Sequence, residues 1–456
     1  MLALDSFKTF VTGKRVTVLG LGLLGRGVGD AAFLAECGAT VTVTDKKTEA
    51  ELAASVARLK KYPTISFHLG GHVEEDFTKA DMVIKAAGVR LDSPEIAAAK
   101  AAGVPVAMST ALFAKYADAM GVTLVGVTGT RGKSTVTQMI YHTLARTGKR
   151  VHLGGNVRGV STLALLPEIQ AGDVVVLELD SWQLQGFGDL GISPHVAVFT
   201  NLMPDHQNYY PNMETYFSDK ANIFRYQRAG DFLFAGMSVI ERLKAARPSV
   251  APLVPPAIPS DWHLNVIGAH NRSNAACAIA ALRALGLSDD NVRAGLESFE
   301  SVEGRLQFVR EINPLDLFDK LRTGKLGAGG IKIYNDNNAT TPEATIAALR
   351  ALDAGKKNIV LICGGADKGL DAGALLYEIA KTCKRVICLA GTGTSRIAPL
   401  MTDYSIYDSL DAAVREAIAS AEPGDIVLFS PAFASFGMFK NEYDRNDQFM
   451  SIVQNV

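Results

Sequence analysis

The densest chemistry in the chain lies at residues 126–135, Gly126-Val127-Thr128-Gly129-Thr130-Arg131-Gly132-Lys133-Ser134-Thr135. An apolar run at 122–125 precedes it, and apolar residues at Val136, Met139, Ile140 and Leu144 follow at helical spacing. A strand, a glycine-rich turn and a Lys-Ser pair opening a helix can hold a nucleotide polyphosphate. Backbone N–H groups wrap the phosphates and the helix N-terminus adds favourable partial charge. Lys133 is placed to reach the β/γ phosphates and Ser134 to ligate Mg²⁺. The strict pattern wants glycine six residues before Lys133, where Val127 stands; the glycines fall at 126, 129 and 132. An ordinary tight turn is the competing reading, and it leaves Gly-Lys-Ser-Thr at a helix start unexplained.

Other strand ends carry polar groups. Residues 173–178 (DVVVLE) form an apolar strand ending in Glu178, followed by Leu179-Asp180-Ser181-Trp182-Gln183-Leu184. A carboxylate at a strand end beside such a turn is where Mg²⁺ is usually held. Residues 195–200 run into Asn201-Leu202-Met203-Pro204-Asp205-His206, again at the ligand edge of a parallel sheet. Taken alone, His206 reads equally well as a surface-loop histidine. Tyr216 and Lys220 lie four apart on one helix face, where a lysine is ordinarily solvated. At 268–274 (GAHNRSN), Asn271 and Asn274 lie three apart, suited to a base edge or to capping the helix.

These residues need a scaffold, and the pattern supplies an α/β one. Residues 15–20 read as a strand, 20–25 as a G-x-G-x-x-G turn, the stretch to Cys37 as a helix, and 40–44 as a second strand ending at Asp45. Alone, this unit suggests a dinucleotide site, although single nucleotides and nucleotide sugars use the same unit. Further strands are expected at 82–85 and 104–107. The C-terminal third shows strands at 331–334, 359–363, 385–389 and 426–430 with helices between. Polar clusters at 335–340, 364–369 and 430–435 follow three of these strands, so they face one edge. The expected architecture is three domains. A Rossmann-like N-terminal domain spans 1–110, a central P-loop ATPase-type domain 111–303, and a C-terminal α/β Rossmann-like domain 304–456. Residues 313–329 read as an inserted surface element with no catalytic role.

The 456 residues are 48% hydrophobic and 20% charged, as in a globular chain with a sizeable core. Lys and Arg number 46 against 47 Asp and Glu, a net −1. No basic field argues for nucleic acid or an anionic membrane. No apolar run is long enough to span a bilayer, and the N-terminus lacks the pattern of a signal peptide. Five cysteines without a CxxC pair read as free thiols of a reducing cytoplasm rather than a zinc site.

Together these stretches resemble the Mur ligase superfamily along essentially the whole chain. The family's G-x-T-G-T-x-G-K-[ST] is met at 126–134, its E-L-x-S-x-Q-L at 178–184, and its N-L-x-x-D-H at 201–206. Its G-x-H-N-x-x-N is met at 268–274, its Gly-Gly-x-x-Lys at 364–368 and its S-P-x-x-A-S at 430–435. The resemblance implies an ATP-dependent, ADP-forming ligase that adds D-glutamate to UDP-N-acetylmuramoyl-L-alanine through an acyl phosphate, in peptidoglycan precursor synthesis. Lys133, His206 and Lys220 are the implied catalytic residues. ATP is expected on Gly129, Thr130, Arg131, Gly132, Lys133, Ser134, Thr135, Asn271, Asn274, Arg305 and Asp336. The UDP-substrate is expected on Gly22, Leu23, Leu24, Asp45, Lys46, Gly88, Asn156, Ser181 and Gln183. The amino acid is expected on Thr340, Lys368 and Ser435. Two Mg²⁺ sites are implied, drawing on Ser134, Glu178, His206 and Lys220, the last as a carbamate. The implied protein is a cytoplasmic monomer acting on small molecules.

The chain departs from the family pattern in places. N-D-S-K-A-T reads Asn-Asp-Asn-Asn-Ala-Thr at 335–340, with Asn338 for the lysine. Glu442 stands for the last Phe of S-P-A-x-A-S-x-D-Q-F-x-N-F, and Gly437-Met438 for Asp-Gln. Asp180 replaces a serine, Asn208 an aspartate, and an S-P-G turn reads Ala86-Ala87-Gly88. These changes keep open a Mur-type ligase for another amino acid or for L-glutamate. An NAD-dependent oxidoreductase resting on residues 16–45 and a P-loop switch protein are readings of other classes.

Overall fold

A computed structural model describes residues 2–21, 25–206, 209–313 and 329–456. Internal contacts divide the chain into two compact units. One comprises residues 1–262 and 273–296, the other 263–272 and 297–456. The 313–329 element expected from the sequence falls almost wholly outside the described residues.

The first unit holds two sheets. Strands β1 (Arg15–Leu19), β2 (Thr40–Asp45), β3 (Ile65–Leu69), β4 (Met82–Lys85) and β5 (Val106–Ala107) assemble in the order β3-β2-β1-β4-β5. All four pairings are parallel. The glycine turn therefore leaves β1 at the point where the strand order reverses, which is where such sheets take ligands. The second sheet runs β11-β10-β9-β6-β8-β7. Its strands are β6 (Thr123–Thr128), β7 (Val151–Gly155), β8 (Val174–Glu178), β9 (Val196–Phe199), β10 (Phe232–Ala235) and β11 (Pro252–Leu253). β8 and β9 are buried along their whole length, as expected of strands covered on both faces. β6 lies between β9 and β8, so the lysine-bearing turn sits at the switch point of its own sheet. One apolar core serves both sheets, joining Val16 and Val41 to Phe113, Leu163 and Leu177.

The second unit carries β12 (Gln307–Ile312), β13 (Ile331–Asn335), β14 (Ile359–Gly364), β15 (Cys383–Leu389), β16 (Tyr404–Tyr407) and β17 (Ile426–Phe429), in the order β12-β13-β17-β14-β15-β16. β12 pairs antiparallel with β13 and the rest are parallel. β13, β17 and β14 are consecutive neighbours, which brings the loops at 335–341, 430–437 and 364–369 to one edge. Among the described residues no helix is long and apolar enough to cross a membrane. Every cysteine is a buried free thiol.

Close approach at the second sheet's ligand edge requires glycine. Gly155 ends β7 at φ 85°, and a Cβ there would collide with the Glu178 carbonyl oxygen. Gly172 has nearly the same φ, 86°, but open space around it. Gly172→Ala should therefore cost only the left-handed backbone penalty, about 1–2 kcal/mol. Gly155→Ala should cost clearly more in urea unfolding; equal losses would contradict the described contact between strand ends.

Candidate active site

The turn after β6 is fastened to the end of β9 by a set of short hydrogen bonds. Thr130 N donates to Asn201 O at 2.9 Å. Asn201 Oδ1 accepts from Arg131 N at 2.9 Å, and Asn201 Nδ2 donates to Arg131 O at 3.1 Å. Thr200 Oγ1 donates to the same Arg131 carbonyl at 2.6 Å. Thr130 Oγ1 accepts from Met203 N at 2.9 Å. Gly129, at φ 142°, lets Thr200 approach, since a Cβ there would strike its hydroxyl. Gly132, at φ 82°, precedes the helix Lys133–Ala145 and leaves no room for a Cβ beneath Asn274. Gly129, Thr130, Arg131, Gly132, Lys133, Ser134, Thr135 and Asn274 thus share one place in the first unit. Asn271 belongs to the second unit, where its Nδ2 donates to Ile267 O at 2.9 Å.

Two lysines converge on this turn. Lys133 Nζ donates to the carbonyls of Gly129 and Thr130, both at 3.1 Å. Lys220 Nζ donates to Gly129 O at 3.0 Å from the other side and lies 4.8 Å from the Tyr216 ring centroid. The helix Met213–Ala221 turns this face inward, so Lys220 is only 1% exposed. A solvated surface role is excluded for it. Burial, reinforced by the Lys133 charge, drives its pKa well below the usual lysine range. Such a lysine is readily a neutral, nucleophilic amine.

Glu178 ends β8 in register with Val127 of β6 and Gly155 of β7. It is 7% exposed, at the heart of the edge. His206 has φ 52° and packs its ring 4.6 Å from that of Trp182. It is a packed residue, not a mobile surface histidine. Burial lowers its pKa and Lys133 and Lys220 lower it further, against the opposing pull of Asp205. The imidazole is therefore kept neutral, the form that ligates metals. A hydroxyl (Ser134), a carboxylate (Glu178) and this imidazole are a donor set that suits a divalent cation.

At the first sheet's edge, both Asp45 oxygens hold backbone: Oδ2 accepts from Leu21 N at 2.9 Å and Oδ1 from Lys47 N at 3.0 Å. The carboxylate shapes the turn after β1. Gly22, Leu23 and Leu24 lie outside the described residues. Lys46 is within 3.7 Å of Glu95, and Gly88 sits in the turn after β4. Asn156 bridges the two sheets: its N donates to Glu178 O at 2.7 Å and its Oδ1 accepts from Arg26 Nη1 at 2.7 Å. Asp180 and Gln183 form a capping box on the helix Ser181–Leu190, and Gln183 Nε2 reaches Thr110 Oγ1 at 3.2 Å. Ser181, 1% exposed, begins that helix.

In the second unit, Lys368 Nζ donates to Thr340 Oγ1 at 3.0 Å. Ala366 and Ala434 exchange backbone hydrogen bonds of 2.9 and 3.1 Å, which sets the loop of Lys368 against that of Ser435. Thr340, Lys368 and Ser435 are thereby brought together. Asp336 accepts from Leu306 N at 3.0 Å and Ser430 Oγ at 2.8 Å, bracing the turn that contains Arg305.

The sequence departures form one connected set here. Arg445 is fully buried; its Nε and Nη2 donate to Asn337 Oδ1 and O, both at 2.8 Å, and its Nη1 to Phe433 O at 3.4 Å. Glu442 stands in the first turn of the helix Glu442–Gln454, where a carboxylate is favoured, and its charge acts on Arg445. The side chain of Asn338 turns to the Glu303 carbonyl at 3.2 Å. The lost lysine and the gained carboxylate thus leave a guanidinium clamping two loops of the edge. Arg445, Asn201 and Trp182 were not singled out from the sequence. Asn201 lay within the 201–206 stretch, whereas Arg445 has no local signal, since a helical arginine is ordinarily solvated.

Comparison with known proteins covers the whole chain. The family model described as the MurD-like N-terminal domain of Mur ligases matches residues 14–108, the Mur ligase middle domain 127–244, and the Mur ligase glutamate ligase domain 322–433. A UDP-N-acetylmuramoylalanine–D-glutamate ligase from Roseiflexus sp. (strain RS-1) is 37% identical over 97% of this chain and 99% of its own. Proteins of the same name from Acetivibrio thermocellus and Borreliella burgdorferi are each 33% identical, over 99% and 96% of this chain and 99% and 97% of their own. Among solved structures, a UDP-N-acetylmuramate-alanine ligase from Thermotoga maritima aligns with TM-score 0.61 at 19% identity, covering 97% of this chain and 99% of that one. A MurF ligase from the same organism in complex with ADP aligns with TM-score 0.58 at 16% identity, covering 98% and 96%.

Asp336 yields a pH prediction. Burial lifts its pKa to about 7, with Ser430, Leu306 and Arg305 pulling the other way. The folded value lies above the unfolded one near 4. Its stabilising share is complete below about pH 4, falls as pH rises towards 7 and stays lost above. Asp336→Asn does not titrate, so between about pH 5 and pH 8 it should gain on the parent protein by on the order of 2 kcal/mol in urea unfolding. A pH-independent difference would contradict this.

Proposed function

The chain belongs to the Mur ligase family, and from that premise we propose that it joins D-glutamate to UDP-N-acetylmuramoyl-L-alanine at the expense of ATP, in peptidoglycan precursor synthesis. The γ-phosphoryl group passes to the alanyl carboxylate. The glutamate amine then attacks the acyl phosphate and phosphate leaves. The observation that carries this reading is the meeting of Lys133 and Lys220 on one turn, clasped by Asn201 to the strand end that carries His206.

Phosphoryl transfer asks the protein for positioning and charge neutralisation more than for covalent help. Lys133 leaves the Gly129 and Thr130 carbonyls and donates to the β/γ phosphates, while backbone N–H groups of 129–134 wrap them. Asn274 takes the nucleoside end. Ser134, Glu178, His206 and Lys220, as its carbamate, would hold Mg²⁺ in two sites, and the cation supplies neutralisation of the phosphate charge. The depressed pKa of Lys220 suits carbamylation, because only the neutral amine adds carbon dioxide, and the product turns a buried cation into a carboxylate donor.

Asp45, Lys46, Gly88, Asn156, Ser181 and Gln183, with residues Gly22, Leu23 and Leu24, receive the uridine nucleotide and its sugar. Thr340, Lys368 and Ser435 receive glutamate. The Arg445 guanidinium keeps cationic character behind that pocket, in keeping with an acidic amino acid. We assign residues 1–110 to the UDP-substrate, 111–303 to ATP and 304–456 to the amino acid. The enzyme works as a monomer in the cytoplasm. An NAD-dependent oxidoreductase is set aside, because residues 14–108 belong with the MurD-like N-terminal domains.

Phosphate release from ATP, with UDP-N-acetylmuramoyl-L-alanine present and a panel of amino acids including both glutamate enantiomers, tests this reading. Stimulation by D-glutamate is expected; stimulation only by another amino acid would overturn the substrate. Lys133→Ala should lower turnover by on the order of a hundredfold or more. Lys220→Ala should lose activity that bicarbonate cannot restore and short carboxylic acids partly can; a fully active variant would refute the carbamate.

A further inference from the structure

Lys85 ends β4 at the ligand edge of the first sheet, and no step above uses it. It is 2% exposed. Its Nζ donates to Val89 O at 3.1 Å and, more weakly, to Ala87 O at 3.5 Å. Both acceptors belong to the turn that follows the strand, so one ammonium closes that turn from within. Backbone bonds from Ala86 N to Leu19 O (2.9 Å) and from Val89 N to Ala86 O (3.1 Å) seat it against β1. The turn sequence, Ala86-Ala87-Gly88-Val89, contains no proline to fix φ and no polar side chain to bond its own backbone. The charge-assisted bonds of Lys85 take that part.

The position of this turn matters beyond its own sheet. Arg90 Nη1 donates to Tyr209 O at 3.4 Å and its guanidinium lies 4.9 Å from the Tyr209 ring centroid. Tyr209 N in turn donates to His206 O at 2.8 Å. A displaced turn would therefore disturb both the substrate edge and the loop behind His206.

We propose that Lys85 is a positioning residue for the nucleoside-diphosphate-sugar substrate, its ammonium holding turn 86–89 in the shape that receives the substrate at Gly88. The inference rests on the reading of Gly88 as part of that substrate's site. The ammonium faces Asp180 and Asp189, at the cap and end of the helix Ser181–Leu190, Asp219 of the helix Met213–Ala221, and Lys100 of the helix Pro94–Ala101. Burial dominates and brings its pKa down to about 8; the three carboxylates oppose the shift and Lys100 adds to it. The ammonium is thus present at neutral pH and is lost as pH rises past about 8.

The test is steady-state kinetics of the full chain carrying Lys85→Met, Lys85→Arg or Gly88→Val, each checked for a parental thermal midpoint. Gly88 has open space where a Cβ would stand, so Gly88→Val places bulk on the substrate side without a clash inside the fold. Lys85→Met should raise KM for UDP-N-acetylmuramoyl-L-alanine at least about tenfold near pH 7 and leave KM for ATP and D-glutamate almost unmoved. Lys85→Arg should recover most of the loss. In the parent enzyme the same KM should climb from about pH 7 to about pH 9, and in Lys85→Met that climb should vanish. If Gly88→Val raises this KM and Lys85→Met does not, the proposal fails while the site assignment stands. If Gly88→Val leaves it unmoved, the assignment of the turn fails, and the proposal with it. Equal rises in all three KM values for Lys85→Met would show a merely structural lysine and overturn the proposal.

Discussion

Lys220 keeps a lysine side chain beneath the turn at 129–132, 1% exposed, with the Gly129 carbonyl at 3.0 Å and an aromatic face at 4.8 Å. Burying a charge is costly without a partner, and no carboxylate bonds to it among the described residues. The surroundings lower the cost in two ways. The pKa falls, so the amine need not carry its proton. The turn it touches is itself held rigid by Asn201 and Thr200, so the carbonyl that faces the lysine cannot swing away. Gly129 and Gly132 follow from the same constraint, because side chains there would push Thr200 and Asn274 off the turn. The turn after β6, the β9 end and the lysine are thus one object. Changing any of them displaces the others.

The second unit solves a related problem with different atoms. Arg445 is a buried guanidinium that makes three hydrogen bonds to neutral oxygens of Asn337 and Phe433. Burial pulls its pKa down to about 10, with Glu442 opposing, so it stays protonated at neutral pH. A planar, fork-shaped cation is suited to spanning two loops in a way a lysine is not. Asn337 and Glu442, which depart from the family pattern position by position, are a hydrogen-bond partner of this cation and a carboxylate whose charge favours it. The third sheet thus carries one cation behind its loops, in addition to Lys368 on them.

Much of this arrangement could be read from the sequence, for reasons that differ by element. The strands that end in ligands are central and apolar throughout, as in VVVLE and VAVF, and such runs are distinctive. Their glycine and polar ends follow directly, so the turn at 126–135, Glu178 and the 201–206 stretch were legible. β3, β7, β10, β11 and β16 were not. β3 alternates exposed and buried residues around a histidine, β7 ends in two glycines, β11 has two residues, and β16 is a half-exposed edge. Edge strands owe their conformation to a neighbour rather than to their own residues. Buried charges were the other blind spot. Lys85, Lys220 and Arg445 look like surface residues in sequence, because their burial is decided by segments far away in the chain.

That blindness has a physical origin worth following to the site. A residue's type fixes which bonds it can make, but the cost of making them depends on how much water remains, and that depends on packing from several elements at once. At the edge of the first unit, four segments meet around Lys220 and His206: the turn after β6, the β9 end, the helix bearing Trp182 and the lysine's own helix. None of them is unusual alone. Together they lower the pKa of a lysine and of an imidazole, which favours the neutral form of each. In that state the two side chains offer lone pairs rather than charges. The lysine-bearing turn beside them brings the cation that phosphates need, while its neighbours remain available as ligands and nucleophiles. A cationic lysine beside two groups whose charge burial disfavours, within a single sheet edge, is an arrangement suited to a polyphosphate and a divalent cation side by side.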